Sequence, residues 1–217
     1  MLYFPLDVLS QLPCGDEKRL FSSVKGNGAF DLGGGRLLNS VSSASDIEPS
    51  MSVDTRSFRK TLGCFASGVT VITTLTPGTR EPVGVTVSAF SSLSLDPPLV
   101  LFCLGNSTSS LEAFRSFGHF AVNILSEHQK DLSIRFASRS GDKWQGVART
   151  EGASGVPVLG GCLATLECSL HQVIDGGDHQ IFVGRVERLK HHEGGSPLVY
   201  FRGSYMDPAS PSLGDVV

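Results

Sequence analysis

The sequence predicts a mainly β protein with a few helices, arranged as an antiparallel barrel. Short β-branched or apolar runs of similar length follow one another from Val69 onward. Turn chemistry separates pairs of them, at Thr76-Pro77-Gly78 and at Asp175-Gly176-Gly177. Helices do not alternate regularly with the strands, and no Gly-x-Gly-x-x-Gly follows one. That argues against a doubly wound parallel sheet and its dinucleotide loop.

The elements follow in order. Asp54 is a good N-cap, and Phe58, Leu62 and Phe65 recur at helical spacing after it, as expected of a helix packed on a sheet. Residues 69–75 and 83–87 read as two strands of a hairpin. Residues 99–104 form a continuous apolar run, expected to be a strand buried on both faces. Further strands are expected at 119–125, 163–173, 180–189 and 198–201, and helices at 109–117 and about 127–137. Residues 1–50 differ in texture, with Gly33-Gly34-Gly35 and a serine-rich stretch and no lasting period. They read as a flexible extension. The glycine triplet lacks the Gly-Lys-Ser/Thr ending of a phosphate loop. The expected division is an extension over 1–50, a barrel domain over 51–208 and a tail over 209–217.

The 217 residues are 40% hydrophobic and 18% charged, a globular balance. A net charge of -3 and a pI near 6.0 leave no electrostatic footprint for nucleic acid or an acidic membrane, so an anionic ligand needs a local site. Five widely spaced cysteines show no zinc-site spacing, and no metal is expected. Cys103, Cys162 and Cys168 lie in apolar runs and read as small buried hydrophobes in a reducing cytoplasm. No apolar stretch approaches the roughly 20 residues of a membrane span. The first residues lack the basic region of a secretory leader.

Two segments carry chemistry. Residues 84–98 are dense in small hydroxyls between apolar strands. They are either a solvated strand edge or a ledge where amides and hydroxyls meet a polar, planar ligand, with Gly84 and Ala89 allowing close approach to the backbone. Asn106-Ser107-Thr108-Ser109-Ser110 precedes the expected second helix. It is either plain capping or an anion site at a helix start. A flavin mononucleotide moiety has both a polar ring and a phosphate.

Five blocks, in order, resemble the flavin reductase-like family, the FMN-binding split-barrel reductases of two-component monooxygenases. They are residues 65–73, 84–98, 120–125, 176–184 and 197–205. The resemblance covers about 55–207. It implies a split β-barrel, a homodimer, and a flavin, FMN or FAD, near the dimer interface. It implies NADH or NADPH as hydride donor and a partner monooxygenase that receives reduced flavin. The flavin would be lined by Thr86, Val87, Ser88, Ser91 and Ser92, with Ala89 open to the ring. Asn106, Ser107 and Thr108 would approach the phosphate. His179 of the Gly-Asp-His block would lie near the nicotinamide, its ring oriented by Asp178, or would simply cap a strand. Gly203 and Tyr205 would lie near the site. Trp144 would stack on a ring or anchor packing, and one of Arg135, Arg139 and Lys143 would neutralise the phosphate. Two other readings are a flavin-binding protein without catalysis and a split-barrel flavoenzyme that keeps its flavin and acts on an organic substrate.

Overall fold

The computed structural model describes residues 53–139 and 141–206; the expected extension over 1–50 and tail over 209–217 lie outside the described residues. Helix α1 (Thr55–Leu62) starts where the Asp54 carboxylate accepts the Ser57 N–H at 2.8 Å, the expected cap. Strands β1 (Ser67–Gly68), β2 (Thr70–Leu75), β3 (Pro82–Val87), β4 (Phe90–Leu95) and β5 (Pro98–Gly105) follow. Next come α2 (Leu111–Ser116), β6 (His119–Ile124), a 3-10 turn (Glu127–Gln129) and α3 (Lys130–Ala137). Short β7 (Arg149–Glu151) and β8 (Pro157–Leu159) precede the long hairpin of β9 (Ala164–Gly176) and β10 (His179–His191). β11 (Val199–Phe201) and β12 (Ser204–Tyr205) end the described chain.

Seven strands make one antiparallel sheet in the order β3-β2-β6-β9-β10-β5-β4. An even number of reversals separates its two edges, so β4 runs in the same direction as β3. These edges are also consecutive in sequence, joined by Ser88 and Ala89 alone. The sheet therefore curls until its first and last strands are two arms of one bent stretch. One core cluster shows the closure, because Ile72, Val87, Val100, Phe102, Phe120, Val122, Cys168 and Phe182 come from six neighbouring strands around it. Phe102 stacks on Phe182 at 5.1 Å and meets the edge of Phe120 at 5.0 Å. β10 makes room for that ring at Gly184, where an added Cβ would collide with Phe120.

A second cluster covers the other face of β2: Val69 and Val71 pack with Leu125, Phe136, Leu159, Cys162 and Leu198. β2 is consequently buried along its whole length. Buried Asn123 ties the layers together by donating to the Val71 carbonyl at 2.9 Å and accepting the Leu159 N–H at 2.8 Å.

Two sequence expectations need correction. α1 forms, but buries no residue against the sheet; Phe58, Leu62 and Phe65 are all more than half exposed. β5 is not buried on both faces: Val100, Phe102 and Leu104 face the core while Leu99, Leu101 and Cys103 are half-buried on the outside. Its continuous apolar run thus codes for one core face and one face only partly covered. β4, β7, β8 and β12 were not anticipated as separate strands. No described helix is long and apolar enough to cross a membrane, and the described residues hold no cluster fit for a metal.

Candidate functional site

The corner at Ser88-Ala89 organises the site. The Ala89 carbonyl accepts the Cys103 N–H at 3.0 Å, so the corner lies against the end of β5, three residues before Asn106. β10 enters from the other side, with His179 directly opposite Gly105. The Asn106 N–H donates to the Asp178 carbonyl at 2.9 Å, and its side-chain amide donates to the Gly177 carbonyl at 3.1 Å. A side chain at Gly105 would lie 3.6 Å from His179 Nε2 and 3.8 Å from Thr108 Oγ1, so the glycine leaves open the space these two groups border. Three segments remote in sequence therefore meet at one end of the sheet.

His179 Nδ1 and Asp178 Oδ1 are 2.7 Å apart. That hydrogen bond, then the imidazole's charge, holds the Asp178 carboxyl below its ordinary value. The ring is about half exposed, with side-chain exposure 51%, and its Nε2 edge is free to face a ligand.

Around the corner the donors are uncommitted. Ser88, Ser107 and Ser109 make no hydrogen bond within the described residues, and the Ser92 hydroxyl has no partner there. Ser88, Ala89, Ser92, Asn106 and Ser107 are exposed, and Ser91 is half-buried, its hydroxyl donating to the Ser92 carbonyl at 3.0 Å. α2 spans only six residues and its cap Ser110 makes no side-chain cap bond. Its dipole is therefore short, and any pull on an anion comes from the loop's amides and hydroxyls.

Thr86 and Tyr205 form a second, adjoining group. The Thr86 hydroxyl donates to the Ser133 carbonyl at 2.6 Å, and the Ser133 hydroxyl lies 2.8 Å from the Tyr205 phenol oxygen. Thr86 thus anchors α3 to β3, and Tyr205 reaches this group through a buried serine. Val87 puts its side chain into the core, and its carbonyl accepts from the Thr70 hydroxyl at 2.8 Å. Paired with Thr70 in the ladder, Val87 has its side chain and its backbone committed within the barrel. Ser133 escaped the sequence reading, although a serine flanked by Leu132 and Ile134 on a helix was its signal.

Three expectations are redirected by the geometry. Gly84 does not open the backbone to a ligand; an added Cβ would sit 2.5 Å from Phe136 Cε1 and 3.2 Å from Trp144 Cζ2. The glycine serves the close approach of α3. Trp144 meets Phe136 edge-on at 4.8 Å with Arg149 over its ring, so it anchors packing. Arg135 donates to the Gln145 carbonyl at 2.8 Å and Lys143 to the Phe136 carbonyl at 3.2 Å, committing both cations to the α3 end.

The family model described as the flavin reductase like domain matches residues 62–209, and this span contains every candidate residue. The chain belongs to the flavin reductase-like family. Among relatives of this flavin reductase-like chain, the reductase subunit HsaB of a flavin-dependent monooxygenase from Rhodococcus jostii is 46% identical over 153 residues, covering 70% of this chain and 77% of that protein. The FMN reductase (NADH) SmoA of Agrobacterium fabrum is 44% identical over 152 residues, covering 70% and 85%. The solved structure of the NADH:FAD oxidoreductase SgcE6 of Streptomyces globisporus, in complex with NAD and FAD fragments, superposes with a TM-score of 0.68 at 34% identity, covering 73% of this chain and 95% of that one.

Proposed function

We infer that this chain is an NAD(P)H:flavin oxidoreductase that supplies reduced flavin to a partner monooxygenase. The observation that carries the reading is the meeting of the Ser88-Ala89 corner, the Asn106–Thr108 loop and the Asp178-His179 turn at one end of the sheet. Relatives named as monooxygenase reductase subunits, and one named FMN reductase (NADH), support it.

The donor set fits a flavin. Free hydroxyls and amides, with no nucleophile in a triad and no metal-binding cluster among the described residues, suit a ligand held by hydrogen bonds. When bound, a flavin takes a hydride from reduced nicotinamide, so the protein's work is positioning. Ser88, Ala89, Ser91 and Ser92, with the backbone of Thr86 on the open edge of β3, receive the polar ring edge, and Val87 supports them from the core. Asn106, Ser107 and Thr108 hold the phosphate. His179, oriented by Asp178, docks the nicotinamide on the open side of Gly105. Tyr205 positions β3 through Ser133.

The working unit is a homodimer of domains spanning 51–208, acting in the cytoplasm. Support comes from the uncovered apolar side chains Phe58, Leu62, Leu95 and Leu189 and from the half-covered outer face of β5. Four free thiols among the described residues fit a reducing compartment.

Anaerobic mixing of the protein with NADH or NADPH and FMN or FAD tests the activity. Bleaching of the flavin's visible absorbance in a protein-dependent reaction is the expected result. A flavin that binds and stays oxidised would convert the reading to a carrier, and a flavin that never dissociates between turnovers would convert it to a self-contained flavoenzyme.

A further inference from the structure

We propose that a cleft of about 460 Å³ between the end of α1 and the β11–β12 turn is an anion subsite for the adenylate phosphates of a dinucleotide. Its walls are Arg59, Lys60, Gly63, Cys64, Arg202 and Gly203. Three of these six are cations and none is an acid. None of the three makes an ion pair with a carboxylate among the described residues, where the recorded ion pairs all involve histidine. An anion seated there would meet cationic side chains and no carboxylate in the lining. The chain as a whole is acidic, so this local excess runs against its net charge of -3.

The backbone fixes the cleft. The Arg202 N–H donates to the Gly63 carbonyl at 2.8 Å, which locks the turn onto the helix end. A Cβ at Gly63 would crowd the Arg59 and Lys60 carbonyl oxygens at 3.3 Å and meet the Arg202 Cα at an ordinary contact distance of 3.5 Å. Arg202 itself holds φ 49, a left-handed conformation unusual for a side-chain-bearing residue. Its guanidinium lies 5.0 Å over the Phe201 ring, which leaves the planar edge of the group for an oxygen ligand. The negative end of the short α1 dipole opposes an anion only weakly against three full charges.

The cleft belongs to the same neighbourhood as the candidate site. Arg59 adds a small electrostatic contribution, after the His179 hydrogen bond, to the lowering of the Asp178 carboxyl. The Arg202-Gly203 turn leads within three residues to Tyr205. In this proposal the phosphate chain of a dinucleotide held at the candidate site reaches the cleft along the Arg202–Tyr205 stretch. This inference rests on the reductase reading for the identity of its ligand. The adenylate half is shared by FAD and NAD(P)H and is absent from FMN.

ADP is the probe. Calorimetric titration of the whole protein with ADP should show saturable binding. Lys60→Ala and Arg202→Gly should each weaken it about tenfold, the loss of one charge-assisted hydrogen bond. Glycine suits the left-handed backbone at position 202, so that variant removes the charge and keeps the turn. Steady-state kinetics then identifies the source. A KM increase for FAD with FMN unaltered assigns the cleft to the flavin's adenylate. An increase for NADH, with dihydronicotinamide mononucleotide unaltered, assigns it to the nicotinamide donor. Saturable ADP binding by a protein that bleaches no flavin would sink the reductase reading and leave the subsite standing. No ADP binding, or ADP affinity unchanged in both variants, overturns the subsite whatever the activity.

Discussion

The hydroxyl of Ser133 and the phenol oxygen of Tyr205 lie 2.8 Å apart, joining the last described strand to α3. Ser133 is fully buried, so Tyr205→Phe strands its hydroxyl without a partner. The expected cost is about 1–2 kcal/mol of unfolding free energy, read from denaturant midpoints. Ser133→Ala with Tyr205→Phe should cost less than the sum of the single changes, because the pair fails together. Strict additivity would show that the contact contributes nothing.

His179→Ala should raise the KM for NADH about tenfold, consistent with loss of one docking hydrogen bond, and leave flavin affinity near its starting value. Asp178→Asn should have the same direction with a smaller effect, because it removes only the ring's orienting partner. Unchanged NADH kinetics in His179→Ala would return that residue to a capping role.

The Asp178–His179 pair also sets a pH dependence. The carboxyl is depressed in the folded state, so what it contributes is present above the ordinary carboxylate value and is lost as pH falls through the lowered one. The KM for NADH should therefore lack any inflection attributable to Asp178 around neutral pH. One appearing only in acid, and disappearing in Asp178→Asn, is the expected pattern.

Gly84→Ala should destabilise the fold by about 1–3 kcal/mol, since the new methyl meets the Phe136 ring and Trp144. Intrinsic tryptophan fluorescence should shift with it. Wild-type stability in this variant would mean that α3 can withdraw from β3 at no cost.

Burial pushes the Cys162 thiol up to about 11 and the Cys168 thiol up to about 12, while Cys64 is exposed. Iodoacetamide at mildly alkaline pH should alkylate Cys64 and spare the other two until the chain unfolds, as peptide mass spectrometry would record. Because both thiols are raised above the ordinary value, their contribution to stability is intact below about pH 9 and declines as pH climbs toward the folded values. Rapid native-state labelling of Cys168 would contradict this burial.

The long strands and their hairpins were legible because β-branched runs and turn residues speak locally. β2 falls where Val69 to Leu75 put it, and β9–β10 form the expected hairpin, although β9 runs on through Asp175 and Gly176, two residues expected in the turn. β4 was hidden because Ser91, Ser92 and Ser94 obscure its alternation, and it exists through its ladder with β5. β7 and β8 are three-residue pieces that exist only as each other's partners. Of the site, the hydroxyl rows and Asp178-His179 were visible as residue types. The meeting at Gly105 was not, since it depends on β10 pairing with β5 across more than seventy residues. Gly84 misled for the same reason: a glycine announces close approach without saying what approaches, and Phe136 lies in a distant helix.

Ser88 and Ala89 are all that connects the outermost strands of the seven-stranded sheet. A molecule lodged on that bend braces the barrel's closing seam from without. Were the flavin held there as proposed, occupancy and resistance to unravelling would be linked quantities, and handing the flavin away would leave a looser barrel each time.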